Sequence, residues 1–269
     1  MIKKPYLCIK ITAMNKVFLL IFMASAIVAL TTGCEDKRQS DDDDGGIETD
    51  NMLPSEIIYS NDDGLYDVTK FWYNDKSRII KAEWYHRDTL YSVQDYAYDK
   101  SGKLTSITYN GGNSLSFVYS GNFVTVYFGG TPHSLLHELQ NDLLINDYES
   151  GMLSTTYSYD SKNNAIKVSN KFERETSITY EDKSGIYSGI NMPQWFLMFD
   201  YATFRYPFHV VNNPLQIEKT QNGSSSIYTY NYETYNEKNY PTQFTVTETK
   251  SNSADSSTAY YEIKYIDAK

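Results

Sequence analysis

Cysteine is almost missing from this chain: of 269 residues only Cys8 and Cys34 are cysteines, so everything after residue 34 lacks a thiol. That excludes disulfides, a thiolate nucleophile and a cysteine zinc cluster from the body, which must hold by packing. Glycine (14) and proline (7) are scarce while tyrosine reaches 26, a composition that suits strands burying an aromatic face. Positive charge is in deficit, 24 Lys and Arg against 34 Asp and Glu. Residues 1–33 hold four lysines and no acid, which leaves 20 positive against 34 negative beyond them, or −14. Phosphate backbones would be repelled, so nucleic acid is excluded as a partner. One long apolar run exists, Val17 to Leu30, and it is too short to span a bilayer comfortably.

That run has the build of a secretory signal: Lys16 precedes it and small residues ending in Gly33-Cys34 follow. Its end resembles a bacterial lipobox, with Leu30 upstream and Thr31 where the motif usually has Leu. The resemblance implies that residues 1–33 are removed and that Cys34 becomes an acylated membrane anchor, with Met14 a candidate natural start. "EDKRQSDDDDGGIETDN" follows, without apolar periodicity, and residues 34–54 are expected to form a flexible acidic tether. Its reach is roughly 20–25 Å. The run Ser40 to Asp44 resembles the acidic export signals of outer-membrane lipoproteins, which implies a surface-facing address; a periplasm-facing one is the alternative.

Residues 55–269 read as a single β domain. "FWYNDKSRIIKAEWY" (71–85), "YAYDKSGKLTSITYN" (96–110) and "YSYDSKNNAIKVSNK" (157–171) share aromatic-x-aromatic, then Asp or Asn, a polar turn and a second alternating run. A four-residue loop keeps both arms in phase and predicts shared inner faces of Phe71, Tyr73, Ile80, Ala82 and Trp84; of Tyr96, Tyr98, Thr105, Ile107 and Tyr109; and of Tyr157, Tyr159, Ile166 and Val168. The opposite positions are mostly Lys, Ser, Thr and Glu. The fold class is all-β: an antiparallel meander of about ten to twelve strands, curled into a barrel-like or two-layer shape. "INMPQWFLMFDYATF" (190–204) breaks the rhythm and predicts a short helix near 193–201 that plugs or lids the sheet. Most arms look too short for an inserted barrel, and the closing Ile266-Asp267-Ala268-Lys269 lacks the terminal aromatic usual in one, so the sheet is expected to stand in water.

Signal, tether and repeated Tyr-x-Tyr-Asp hairpins, ending in "YNYETYNEKNYPTQFTVTETK" (230–250), resemble a family of uncharacterised Bacteroidetes lipoproteins whose domain of unknown function is described as porin-like. The hairpin at 96–110 is also similar to the Tyr-Asp repeats of Rhs toxins. Neither resemblance transfers a catalytic residue.

Chemistry-bearing motifs are few. His133 and His137 in "HSLLHE" lie four apart, one helical face, without an HExxH arrangement, and no metal site is assigned. His86 and His209 read as surface or rim residues. No G-x-S-x-G, Walker or dinucleotide fingerprint occurs, so no cofactor is implied. Trp72 and Tyr85 fall on the wet face and are the candidate ligand contacts, with Ile79 opposite Trp72 offering a small covered cluster instead. The function expected is a non-catalytic binding module for a glycan, a peptide or an envelope protein; the alternatives are a hydrolase with two carboxylates inside the curled sheet and a purely structural envelope role.

Overall fold

The computed structural model describes residues 51–199, 208–253 and 256–268. Sixteen strands follow one another: β1 (Met52–Asn61), β2 (Tyr66–Tyr73), β3 (Ile79–His86), β4 (Thr89–Tyr98), β5 (Leu104–Tyr109), β6 (Ser114–Ser120), β7 (Phe123–Phe128), β8 (Thr131–Gln140), β9 (Leu143–Glu149), β10 (Met152–Tyr159), β11 (Ala165–Asn170), β12 (Arg174–Ser184), β13 (Asn212–Gln221), β14 (Ser224–Tyr235), β15 (Pro241–Lys250) and β16 (Ser256–Asp267). Each pairs antiparallel with its chain neighbours, and β16 pairs with β1 to close a barrel. The expected ten to twelve strands were too few. The undercount arose between residues 114 and 159, where strands of six to ten residues are joined by tight turns such as Asn141-Asp142 and Ser150-Gly151 that carry no Tyr-Asp signature.

The repeated hairpins share one turn. Asn74, Asp99 and Asp160 each accept backbone N–H groups two or four residues ahead through Oδ1, and Ser77, Gly102 and Asn163 take positive φ (57°, 87° and 68°). "NEKNY" at 236–240 is a fourth copy, with Asn239 at φ 62°. Only Gly102 among these positions escapes the cost of a side chain in the left-handed region. The loop has five residues rather than four, and the ladder shifts register beside it: Tyr73 pairs with Ile79, Tyr98 with Leu104 and Tyr159 with Ala165.

This corrects three inner-face assignments in the same way. Ile79, Leu104 and Ala165 point inward and are 0%, 0% and 4% exposed, whereas Ile80 and Ile166 are 40% and 38% exposed and Thr105 bonds the Ala97 carbonyl at the bulge. The other inward positions of the arms hold, including Phe71, Ala82, Tyr96 and Ile107.

At this rim the tyrosine rhythm acquires a purpose. Tyr73, Tyr98, Tyr119, Tyr159, Tyr180, Tyr232 and Tyr265 each donate a phenolic hydrogen to the carbonyl of Pro54, Ile79, Leu104, Leu144, Ala165, Pro214 and Pro241 respectively, at 2.6–2.9 Å. Every acceptor lies near the start of the preceding strand, so seven of the eight hairpin pairs carry the same rung. Burial pushes all seven phenols above their usual value. In β8 Leu139 stands where the tyrosine would be, and there Trp195 comes in from the β12–β13 connection, its ring 6.2 Å from Tyr119 and its backbone N–H on the Asp142 carbonyl.

That connection is the plug. It carries α1 (Gln194–Phe199), as expected near 193–201, with residues 200 and 201 outside the described residues. Trp195, Phe196 and Leu197 are buried, packed on Phe117 and Tyr96 of the wall. Asn191 bonds the carbonyls of Ser77 and Lys76, and Gln194 that of Asn163, which ties the plug to the tyrosine rim. The described chain also starts and stops here, with the Ala268 N–H on the Asn51 carbonyl.

Candidate functional site

Outward positions around the barrel are mostly Thr, Ser, Lys and Glu, with single exposed apolar side chains such as Ile80, Val118, Ile166 and Leu215 among them. Trp72 and Tyr85 lie on this outer face, as expected, but their surroundings differ. Lys81, not Ile79, is opposite Trp72, with its ammonium 5.0 Å from the ring. Lys81 pairs with Glu83 at 2.6 Å, and Tyr85 donates to the same carboxylate at 2.6 Å. The Lys81 hydrogen bond holds the Glu83 carboxyl below its usual range. Lys70 lies 5.2 Å from the Tyr85 ring. The two aromatics thus belong to one polar cluster whose faces are already visited by lysines.

The histidines correct the sequence reading. "HSLLHE" forms part of β8 rather than a helix. His137 points into the barrel and is 1% exposed; its Nδ1 lies 2.5 Å from Asp147, whose other oxygen accepts from Tyr157 at 2.8 Å. The imidazole packs tilted on Trp195 and edge to face with Phe199 of the plug, 5.7 and 4.7 Å between centroids. His209, expected at the surface or rim, is fully buried against Tyr230 and Phe244. His86 does sit at the rim, its Nδ1 2.7 Å from the buried Asp67. Described inward carboxylates are therefore held by their own wall: Asp67 by His86, Asp147 by His137 and Tyr157, and Glu248 by the Tyr228 hydroxyl at 3.0 Å.

Among the described residues two clefts could take a ligand: one of about 520 Å³ beside the plug, lined by Tyr119, Asp142, Asn191 and Trp195 among others, and a larger one at the opposite end of the barrel. The larger, of about 650 Å³, opens inside the mouth between β12, β13, β14 and β15, within the range usual for ligand sites. Register builds it in rungs. The innermost runs Ile178, Ile217, Tyr228, Glu248, where the apolar core ends. The next runs Thr176, Lys219, Ser226, Lys250, and the one at the lip Arg174, Gln221, Ser224. Lys219 stands 4.7 Å from the Tyr228 ring, and Lys250 reaches Glu248 at only 3.7 Å. Sequence reasoning passed over these cations. The signal was present: Lys219 is two residues beyond Ile217, so alternation alone places it inside.

No family model matches the chain, and no curated protein is similar to it. The barrel is similar to a porin-like protein from Bacteroides uniformis, at 14% identity and a TM-score of 0.51, over 79% of this chain and 96% of the other. A porin-like protein from Bacteroides vulgatus is matched over 80% of this chain and 99% of its own at 10% identity, with a TM-score of 0.40. A chain of the TcdB2-TccC3-Cdc42 complex is matched over 71% of this chain and 11% of its own at 14% identity, with a TM-score of 0.24. The last two superpose too loosely to carry an argument, and the likeness to Tyr-Asp shells gains nothing from them. The first shows that the chain has a porin-like barrel fold.

Proposed function

We propose that this protein is a lipid-anchored envelope lipoprotein whose plugged barrel is a binding module, presenting its open mouth away from the membrane. Residues 1–33 act as the signal, Cys34 as the acylated anchor on the outer membrane, and the acidic stretch up to β1 as the tether. The observation that carries the reading is the placement of the two rims: the chain enters β1 beside the plug, and the larger cleft lies at the other end. A tether joined to the plugged rim leaves the mouth free. The mostly polar outer wall supports a barrel standing in water, and the plug, hydrogen-bonded to three turns, opposes conduction. The hydrolase alternative asks for two facing inward acids, and Asp67, Asp147 and Glu248 each bond to a side chain of a neighbouring strand.

The body's lack of cysteine makes the test clean. Cys34→Ser should move the protein from the membrane to the soluble fraction. A Ser224→Cys thiol on the mouth should react with an impermeant maleimide on intact cells. Membrane retention of the Cys34→Ser protein would refute the anchor, and a thiol at 224 that reacts only after lysis would refute the outward-facing mouth.

A further inference from the structure

The mouth cleft concentrates the wrong sign of charge for this protein. The chain carries a net −10, yet three cations, Arg174, Lys219 and Lys250, converge from neighbouring inward rungs of β12, β13 and β15. Lys219 and Lys250 flank Ser226 on one rung, two strand spacings apart, or about 10 Å between backbones. Like charges at that distance inside a concave wall repel, and the described acids do little to offset them. Glu248 is engaged with Tyr228 and only loosely with Lys250, while Glu175, at the cleft's lip, pairs with Lys167 at 2.7 Å. Among the described residues neither Arg174 nor Lys219 forms an ion pair. Between the cations the rungs supply Ser224, Ser226, Gln221 and Thr176, short neutral groups that donate and accept, and Tyr228 closes the floor with an aromatic ring.

Cations for an anion, and hydroxyls and an amide for hydroxyls, above a Tyr228 ring that Lys219 already approaches at 4.7 Å, are the complement of a charged sugar. Deepening the binding-module reading and resting on it, we infer that the mouth cleft binds an anionic saccharide, one whose rings carry carboxylate or sulfate. The planar Arg174 guanidinium at the lip takes an oxyanion in a two-pronged contact, Lys219 and Lys250 act as point charges farther in, and Ser226 hydrogen-bonds the hydroxyls between them. A neutral chain of the same shape would leave Arg174 and Lys219 without a counter-charge and Lys250 with only the Glu248 carboxylate, 3.7 Å away.

The test compares ligands that differ in charge and little else. Residues 47–269, which pack as a unit of their own and close β1 on β16, are titrated calorimetrically with oligogalacturonate, its methyl ester, a sulfated heparin-derived oligosaccharide and inorganic sulfate. Binding of one or both charged oligosaccharides, at least tenfold tighter than the methyl ester and weakening with salt, is the expected result. Each of Arg174→Gln and Lys219→Gln should weaken it about tenfold, the loss of one charge-assisted hydrogen bond, while Lys264→Gln, which removes an outer-wall cation paired with Glu56, leaves it unchanged. Equal affinity for ester and acid, or indifference to both cation substitutions, would overturn the anionic assignment while leaving a binding module. Inorganic sulfate binding as tightly as the oligosaccharides would overturn the saccharide part. No retention of any saccharide by a protein whose thermal transition is intact would overturn the inference outright.

Discussion

Ile79 and Ile80 are adjacent, chemically identical and differ only in which wall of the barrel they face, so truncating each in turn isolates what burial is worth. Ile79 is 0% exposed beneath the Tyr73 rung, and its carbonyl accepts the Tyr98 hydroxyl at 2.7 Å; Ile80 is 40% exposed on the outer wall. Ile79→Ala removes buried methyl and methylene groups and leaves a cavity that a closed barrel cannot collapse, a loss of about 2–5 kcal/mol. Ile80→Ala, at the unpaired bulge position, loses only partly covered apolar surface, about 0.2–1 kcal/mol. For a domain of this size each kcal/mol moves the melting temperature by about 2–4 °C. A mid-range Ile79→Ala loss of about 3 kcal/mol therefore lowers it by about 6–12 °C, whereas Ile80→Ala lowers it by no more than about 4 °C. Thermal and urea unfolding followed by circular dichroism would read both. Equal losses, or a larger loss at Ile80, would mean that the loop keeps its arms in phase and that the five-residue turn with its bulge is wrong. The third hairpin offers an independent check, because Ile166→Ala should be mild for the same reason.

The tyrosine rungs predict their own energetics: Tyr98→Phe and Tyr180→Phe should each cost about 1 kcal/mol, the net worth of one hydrogen bond, and should add in the double variant since they lie eight strands apart. Alkaline stability follows from the same residues. Their folded values lie above the unfolded value near 10, so the unfolded chain releases protons first and the stabilisation, complete below about pH 10, is lost as pH rises beyond it. Urea midpoints measured from neutral to strongly alkaline pH should hold and then fall, and a slope unchanged by Tyr→Phe would assign the loss to lysines instead. A Cβ at Gly189 would meet the Met52 carbonyl at 2.2 Å and one at Gly185 the His209 carbonyl at 2.3 Å, both backbone atoms. Gly189→Ala should therefore destabilise by about 1–3 kcal/mol and loosen the plug where the first strand enters, seen as faster amide exchange in β1.

Local information was enough for the class of the fold. A two-residue alternation of tyrosines against Ser, Thr and Lys, restarted by Asp or Asn turns, writes an antiparallel meander with one dry face, and the apolar interruption after Pro193 writes a helix. Those signals act within a few residues of one another, so they survive in a string of letters. Strand number and closure depend instead on pairing between segments 200 residues apart, such as Ile57 with Ile263, and no local pattern carries that. The loop's fifth residue was equally hidden: Ile79 and Ile80 have the same hydrophobicity, and only the bulge beside Tyr73 decides which is core. The candidate site divides along the same line. Alternation could have placed Lys219 and Lys250 inward singly, but bringing Arg174 to them needed β12, β13, β14 and β15 in register, and giving that cleft the free end of the barrel needed the plug at the other. Side-chain direction is a property of each strand; which strands become neighbours is set by closing the whole sheet.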